Sequence, residues 1–146
     1  LGAPFFHPDA RAMLCGMSRG TTKAHLARAA LESIAQRSAD VFEALRKESG
    51  FGIDRMVADG GGSKNALLMQ LQSDLCGCEV VCPAASELSA LGAAYMGGIS
   101  VGVFKSFSSI PAKSAPCSRY TPQMDNQARE RLRANWARAI RSAMNY

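Results

Sequence analysis

Nothing in the 146 residues approaches the roughly 20 consecutive apolar positions that a membrane-crossing helix needs, so no membrane partner is expected. The opening Leu1-Gly2-Ala3-Pro4-Phe5-Phe6-His7 lacks the basic-then-apolar order of a secretion signal, and the cytoplasm is the expected compartment. Aromatic residues are scarce, at 7%, and among the arginines of the last helix the one aromatic is Trp136, which falls on the apolar stripe rather than on a base-stacking face. Histidine is limited to His7 and His25, neither close in sequence to Cys76, Cys78 and Cys82. That C-x-C-x3-C run therefore lacks a fourth donor and matches no zinc spacing, and no metal site is expected. The cysteines, odd in number at five, read as reduced and mostly buried thiols.

What is present suits one domain with a core of its own: 47% hydrophobic and 20% charged residues. The formal net charge of +5 is unevenly placed, because from Arg119 onward six Arg stand against Asp125 and Glu130. A basic helix can mark a nucleic-acid surface. These arginines fit the solvated face of an amphipathic helix better, so no nucleic-acid partner is expected. The chain begins on Leu1 rather than Met and enters a structured pattern almost at once, which leads us to expect a piece of a longer polypeptide.

The chain is organised around Arg55-Met56-Val57-Ala58-Asp59-Gly60-Gly61-Gly62-Ser63-Lys64-Asn65-Ala66-Leu67-Leu68, which reads as strand, turn and helix, the helix beginning near Ser63. Glycines at such a junction permit φ > 0 and leave no Cβ to hold a flat ligand off the main chain. The unpaired N–H groups and positive dipole end of the helix face the same crevice. A plain connector with glycines serving packing alone remains the alternative.

Around this stretch, residues 10 to 18 fit a strand, and Thr21 or Thr22 caps a helix that Gly50 ends. Its expected buried stripe is Ala27, Ala30, Leu31, Ile34, Val41, Phe42 and Leu45. The helix after the glycines buries Leu67, Leu68, Leu71 and Leu75 and stops at Gly77; Glu79 to Cys82 is a strand ended by Pro83. From Ser86 to about Val101 a helix carries the small face Gly92, Ala93, Ala94, Gly97 and Gly98, which a neighbouring element or a ligand should approach closely. Residues 105 to 123 read as a loop. Asp125 caps a last helix with the stripe Ala128, Leu132, Trp136, Ala139, Ile140 and Ala143. Strands alternating with helices predict an α/β layer with at least partly parallel strands, whose ligands sit beyond the strands' carboxyl ends, where the Asp59 to Asn65 turn falls.

Each standard nucleotide template breaks. The Rossmann frame lacks its last glycine, the P-loop frame fails before Lys64 and again at Asn65, and a methyltransferase-like Asp-x-Gly-x-Gly turn has Ser63 in the final glycine position. Five ordered blocks carry a more specific signal: Leu1-Gly2-Ala3-Pro4 with Asp9-Ala10-Arg11; Ser18-Arg19-Gly20-Thr21-Thr22-Lys23-Ala24-His25; Ala58-Asp59-Gly60-Gly61; Leu68-Met69-Gln70-Leu71-Gln72-Ser73-Asp74; and Ala90-Leu91-Gly92-Ala93-Ala94-Tyr95. Together they resemble the C-terminal part of glycerol kinase and its relatives among the FGGY carbohydrate kinases, over nearly the whole chain.

The resemblance implies an actin-like, ribonuclease-H-like ATPase lobe, here partial, with a mixed sheet and flanking helices, spanning residues 1–146. It implies ATP as phosphoryl donor, Mg²⁺ held mainly by residues outside this chain, and glycerol or a related polyol or sugar bound through a lobe this chain does not contain. By the same resemblance Gly60, Gly61 and Asn65 line the nucleotide pocket. The chemistry suits the assignment, since an Asn side chain both donates and accepts. The alternative for Asn65 is a cap bonding its own helix. No residue is expected as catalytic base, because the family's Asp lies upstream; Asp59 is expected to hydrogen-bond loop amides. Ala66 replaces the family's usual second asparagine and Gly62-Ser63-Lys64 leans towards the sugar kinases, so another sugar such as xylulose stays open as acceptor. A non-catalytic actin-like module and a homo-oligomer also remain open.

Overall fold

The computed structural model describes residues 1–84, 87–110 and 117–145, and among these four helices and three strands alternate as expected of an α/β layer. Helix α1 is Lys23–Ser49. Thr22 is its cap: the Thr22 hydroxyl accepts from the His25 N–H, and His25 Nδ1 accepts from the Thr22 N–H at 3.1 Å. Gly50, at φ 66°, ends it in the left-handed conformation that a side chain resists. There follow strand β1 (Arg55–Val57), helix α2 (Ala66–Cys76) closed by Gly77, strand β2 (Glu79–Pro83), helix α3 (Leu88–Ser100), strand β3 (Cys117–Tyr120) and helix α4 (Asn126–Met144). Asp125 caps α4, its Oδ1 accepting from the Ala128 N–H at 2.7 Å.

The sheet order is β1-β2-β3. β1 and β2 are parallel, Met56 opposite Val80, with α2 as the crossover between them. β2 and β3 are antiparallel, Val81 opposite Arg119 and Pro83 opposite Cys117. One face of the sheet, with Val80 and Cys82, packs on Ala35, Ala39 and Phe42 of α1 and on Leu68, Leu71 and Leu75 of α2, forming the core. The other face carries an ion trio in which Glu79 accepts from Arg119 at 2.8 Å and Arg55 at 2.9 Å. These guanidiniums, Arg119 first, hold the Glu79 carboxyl below its ordinary range.

Several expectations are corrected. Residues 10–18 join no strand ladder among the described residues, and Met13, Leu14 and Met17 are exposed. The segment expected as loop contains β3. The helix expected from Ser63 starts at Ala66, because residues 61–64 close a 3-10 turn first. The buried face of α1 is Ala35, Gln36, Ala39, Asp40 and Phe42, while Ile34, Val41 and Leu45 are exposed; Leu67 of α2 is exposed as well. The expected helix start at Ser86 and residues 111–116 of the expected loop lie outside the described residues. The small face of α3 is met at Gly98 by the Phe104 ring, which also packs edge-on against Tyr95, whereas Gly92 and Gly97 have no neighbour within 4 Å among the described residues.

The last helix keeps its expected stripe, with Ile140 buried and the other five positions half-buried. Its arginines are not all solvated. Arg133 donates to Asp40 Oδ1 at 2.7 Å, to Gln36 Oε1 at 2.7 Å and to both Glu43 oxygens. Arg129 Nε donates to the Asp74 carbonyl at 2.6 Å. Sequence spacing places these side chains on the polar side of α4 but cannot show that acids and carbonyls of α1 and α2 lie against that side.

Candidate functional site

The glycine turn sits where β1 runs out, beside the end of its parallel partner β2. Ala58 N–H still donates to the Val81 carbonyl at 2.9 Å, so the ladder holds the chain until Asp59. Gly60 then takes φ 85°, ψ −175°, a combination essentially confined to glycine. Ser63 closes the turn twice, its N–H and its hydroxyl both donating to the Gly60 carbonyl, at 3.2 and 2.8 Å. Asn65 N–H donates to the Gly62 carbonyl at 3.1 Å, and Asn65 then caps α2 by accepting from the Leu68 N–H at 3.1 Å. The amides of Ala66 and Leu67 have no acceptor among the described residues.

The three sequence-predicted residues thus lie on one turn, and their surroundings differ. A Cβ built on Gly60 or on Gly61 would meet nothing within 4 Å among the described residues, so neither glycine is there to make room for a packed neighbour. Gly62 is different, since its Cβ would stand 3.8 Å from Leu68 in ordinary packing contact. Asn65 is exposed, with its Oδ1 engaged as the cap. Asp59, expected to hold the loop amides, is exposed, and those of Ser63 and Asn65 bond to Gly60 and Gly62 instead.

Beside the turn is an open cavity of about 290 Å³. Its walls are Ser63 and Lys64 from the turn, Cys82, Pro83 and Ala84 from the end of β2, and Cys117 and Ser118 from the start of β3. Burial pushes the Cys82 thiol up, so this thiol stays protonated and offers the cavity no charge. Of the lining residues, Ser63 and Lys64 were visible in the turn motif. Cys117 and Ser118 were not, because their position depends on an antiparallel pairing that the sequence does not announce. The arrangement offers a flat, unobstructed main-chain platform, a helix N-terminus and one cation, at the carboxyl edge of parallel strands.

Comparison with known proteins follows the same line. The C-terminal domain of the FGGY family of carbohydrate kinases matches residues 1–101. The glycerol kinase of Dechloromonas aromatica is 45% identical over 146 residues, all of this chain and 29% of that protein. That of Oleidesulfovibrio alaskensis is 46% identical over 140 residues, 96% of this chain and 28% of that protein. In three dimensions the chain superposes on Plasmodium falciparum glycerol kinase with ADP at a TM-score of 0.82 and 28% identity, covering 97% of this chain and 28% of the other. The xylulose kinase of Rhodospirillum rubrum gives a TM-score of 0.71 at 25% identity, over 92% of this chain and 28% of that one. The chain thus spans under a third of the length of these relatives. Its mixed sheet and flanking helices are part of an actin-like ATPase fold. By the family match and the ordered motifs alike, this chain belongs to the FGGY family of carbohydrate kinases, as its C-terminal domain.

Proposed function

We propose that residues 1–146 are the nucleotide-binding lobe of an ATP-dependent kinase of the glycerol type, with Gly60, Gly61 and Asn65 lining the adenosine side of its site. The observation that carries this reading is the empty space over Gly60 and Gly61 at the carboxyl edge of β1 and β2. A nucleoside laid on that platform contacts main chain directly, and the Asn65 amide stands at its rim. The similarity to a glycerol kinase solved with ADP supports the same ligand. The transferred phosphoryl group needs an in-line acceptor, a group to take the acceptor's proton, and cations to spread the charge. This chain's part is to bind and orient the donor; the proton acceptor and the polyol-binding residues belong to the rest of the kinase. Mg²⁺ would be held mainly by residues outside this chain and by the nucleotide's own phosphates, and no step here is routed through it.

Glycerol is the acceptor that the similar glycerol kinases favour, and xylulose is the second reading, favoured by the Gly62-Ser63-Lys64 turn and the similar xylulose kinase. The nucleotide assignment is tested by a backbone amide NMR titration with a non-hydrolysable ATP analogue, on the chain and on its Gly61→Val variant. Gly61 has no positive φ and open space at its Cβ, so valine leaves the backbone unstrained and stands where the nucleoside would lie. Saturable shifts centred on Gly60, Gly61 and Asn65 that vanish in the variant are expected. Shifts centred elsewhere, or unaffected by valine, sink the assignment.

A further inference from the structure

We propose that Asp59 is a modification site, an aspartate that isomerises to isoaspartate without an enzyme, and that a nucleotide on the glycine turn protects it; the second half rests on the nucleotide reading above. The reaction joins an aspartyl carboxyl to the main-chain nitrogen of the next residue, and a side chain on that residue hinders it. Asp59 is the one Asp or Asn in the sequence that is followed by glycine. Its carboxylate is exposed and takes no donor among the described residues, since the Ser63 and Asn65 N–H groups go to the Gly60 and Gly62 carbonyls. The peptide that must turn, from the Asp59 carbonyl to the Gly60 N–H, is unbonded at both ends among the described residues. A Cβ built on Gly60 would meet nothing within 4 Å, so no packed neighbour resists the turn. The other aspartates are restrained. Asp40 and Asp74 are buried. After Asp9 the Ala10 N–H donates to the His7 carbonyl at 3.4 Å, the Asp54 carbonyl accepts from the Glu79 N–H at 3.0 Å, and the Asp125 carboxylate caps α4.

In the first step the Gly60 nitrogen bonds to Asp59 Cγ, and the amide proton leaves with the hydroxyl of the protonated carboxyl as water, closing a succinimide ring. Water then opens the ring. Attack at the Cγ carbonyl restores aspartate, whereas attack at the former main-chain carbonyl leaves the chain running through the side chain, one methylene longer, with the α-carboxylate as the branch. No oxidant or cofactor is consumed. The added methylene falls between the last ladder bond, made by the Ala58 N–H, and the Gly60 carbonyl that Ser63 holds, so it shifts the glycine platform against the sheet edge. A nucleoside lying on Gly60 and Gly61 restrains the same peptide and slows ring closure.

The test ages the chain and its Asp59→Glu variant at physiological temperature in mildly acidic buffer, with and without a non-hydrolysable ATP analogue. Trypsin then releases residues 56–64 as one peptide, in which isoaspartate is read by mass spectrometry and by methylation with an isoaspartyl methyltransferase. A second form of equal mass, preceded by one lighter by a water, should accumulate faster than at Asp9 or Asp54, be absent from the glutamate variant, whose larger ring closes far more slowly, and rise severalfold more slowly with the analogue. No excess at Asp59 over Asp9 and Asp54 overturns the modification site. Isoaspartate that the analogue does not slow, while the amide spectrum shows it bound at Gly60 and Gly61, overturns the protection. Isoaspartate unslowed by an analogue that moves other amides or none overturns the nucleotide reading and leaves the modification standing.

Discussion

Replacing Arg133 by methionine keeps the aliphatic stem and removes the guanidinium that joins α4 to α1. The guanidinium is 15% exposed and its main partner, Asp40, 6% exposed, so the pair is largely out of water. Breaking a buried pair from one side costs about 3–5 kcal/mol because a charge is left uncompensated. Asp40 would keep two donors, Arg37 at 3.1 Å and Trp136 Nε1 at 2.9 Å, which brings the expectation to about 2–3 kcal/mol. The Glu43 contact adds little, since that side chain is 56% exposed. At about 2–4 °C per kcal/mol, Tm should fall by roughly 5–10 °C. Hydrogen exchange should quicken first in α4, where Ile140 is the one buried residue among those described. If the stranded charge is the cause, Asp40→Asn added to Arg133→Met should cost little more, with a coupling of roughly 1–3 kcal/mol. A fall below about 2 °C, or additive losses in the double variant, would refute the reasoning.

Thiol reactivity should divide the cysteines. Cys15 and Cys117 are exposed, whereas burial, helped by Cys78, pushes Cys76 up to about 12 and burial also raises Cys78 and Cys82. Because the thiolate is the nucleophile, iodoacetamide at neutral pH should label Cys15 and Cys117 in the folded chain and the other three after denaturation; mass spectrometry showing Cys76 labelled as fast as Cys15 would contradict this. Asn65 has a cap role and a proposed ligand role, which two variants separate. Asn65→Ala should lose about 1 kcal/mol of stability with the Leu68 N–H bond, while Asn65→Ser should keep the cap. Both should weaken adenosine binding in calorimetry, and a serine variant that binds as tightly as the parent would reduce Asn65 to a cap.

Helix boundaries were readable where a single local residue sets them. Thr22, Gly50, Gly77 and Asp125 each act within one turn of chain, and each does what its residue type predicts. The parallel pairing followed because α2 is long enough to be a crossover. Features that depend on distant partners were not readable. Cys117–Tyr120 has no strand-like alternation and becomes β3 by pairing with β2. Residues 10–18 have strand-like composition and no ladder partner among the described residues. Gln36 and Asp40 are polar yet buried, because Arg133 and Trp136 reach them from far along the chain. At the site, the positions of Gly60, Gly61 and Asn65 on one turn were legible from the motif, whereas the second wall of the cavity was not, since it is made by β3.

The Asp74 carboxylate has a consequence for how this domain tolerates change. It accepts from the N–H groups of Gln123 and Met124 at 2.7 and 3.2 Å, and Gln70 of the same helix donates to the Thr121 carbonyl at 2.9 Å. The chain entering α4 is therefore located by α2, not by the length of what precedes it. Closing a longer loop costs little, about 0.6 kcal/mol for each doubling. Insertions and deletions between α3 and β3 can then accumulate without displacing either the last helix or the glycine turn, provided Asp74 keeps its hold.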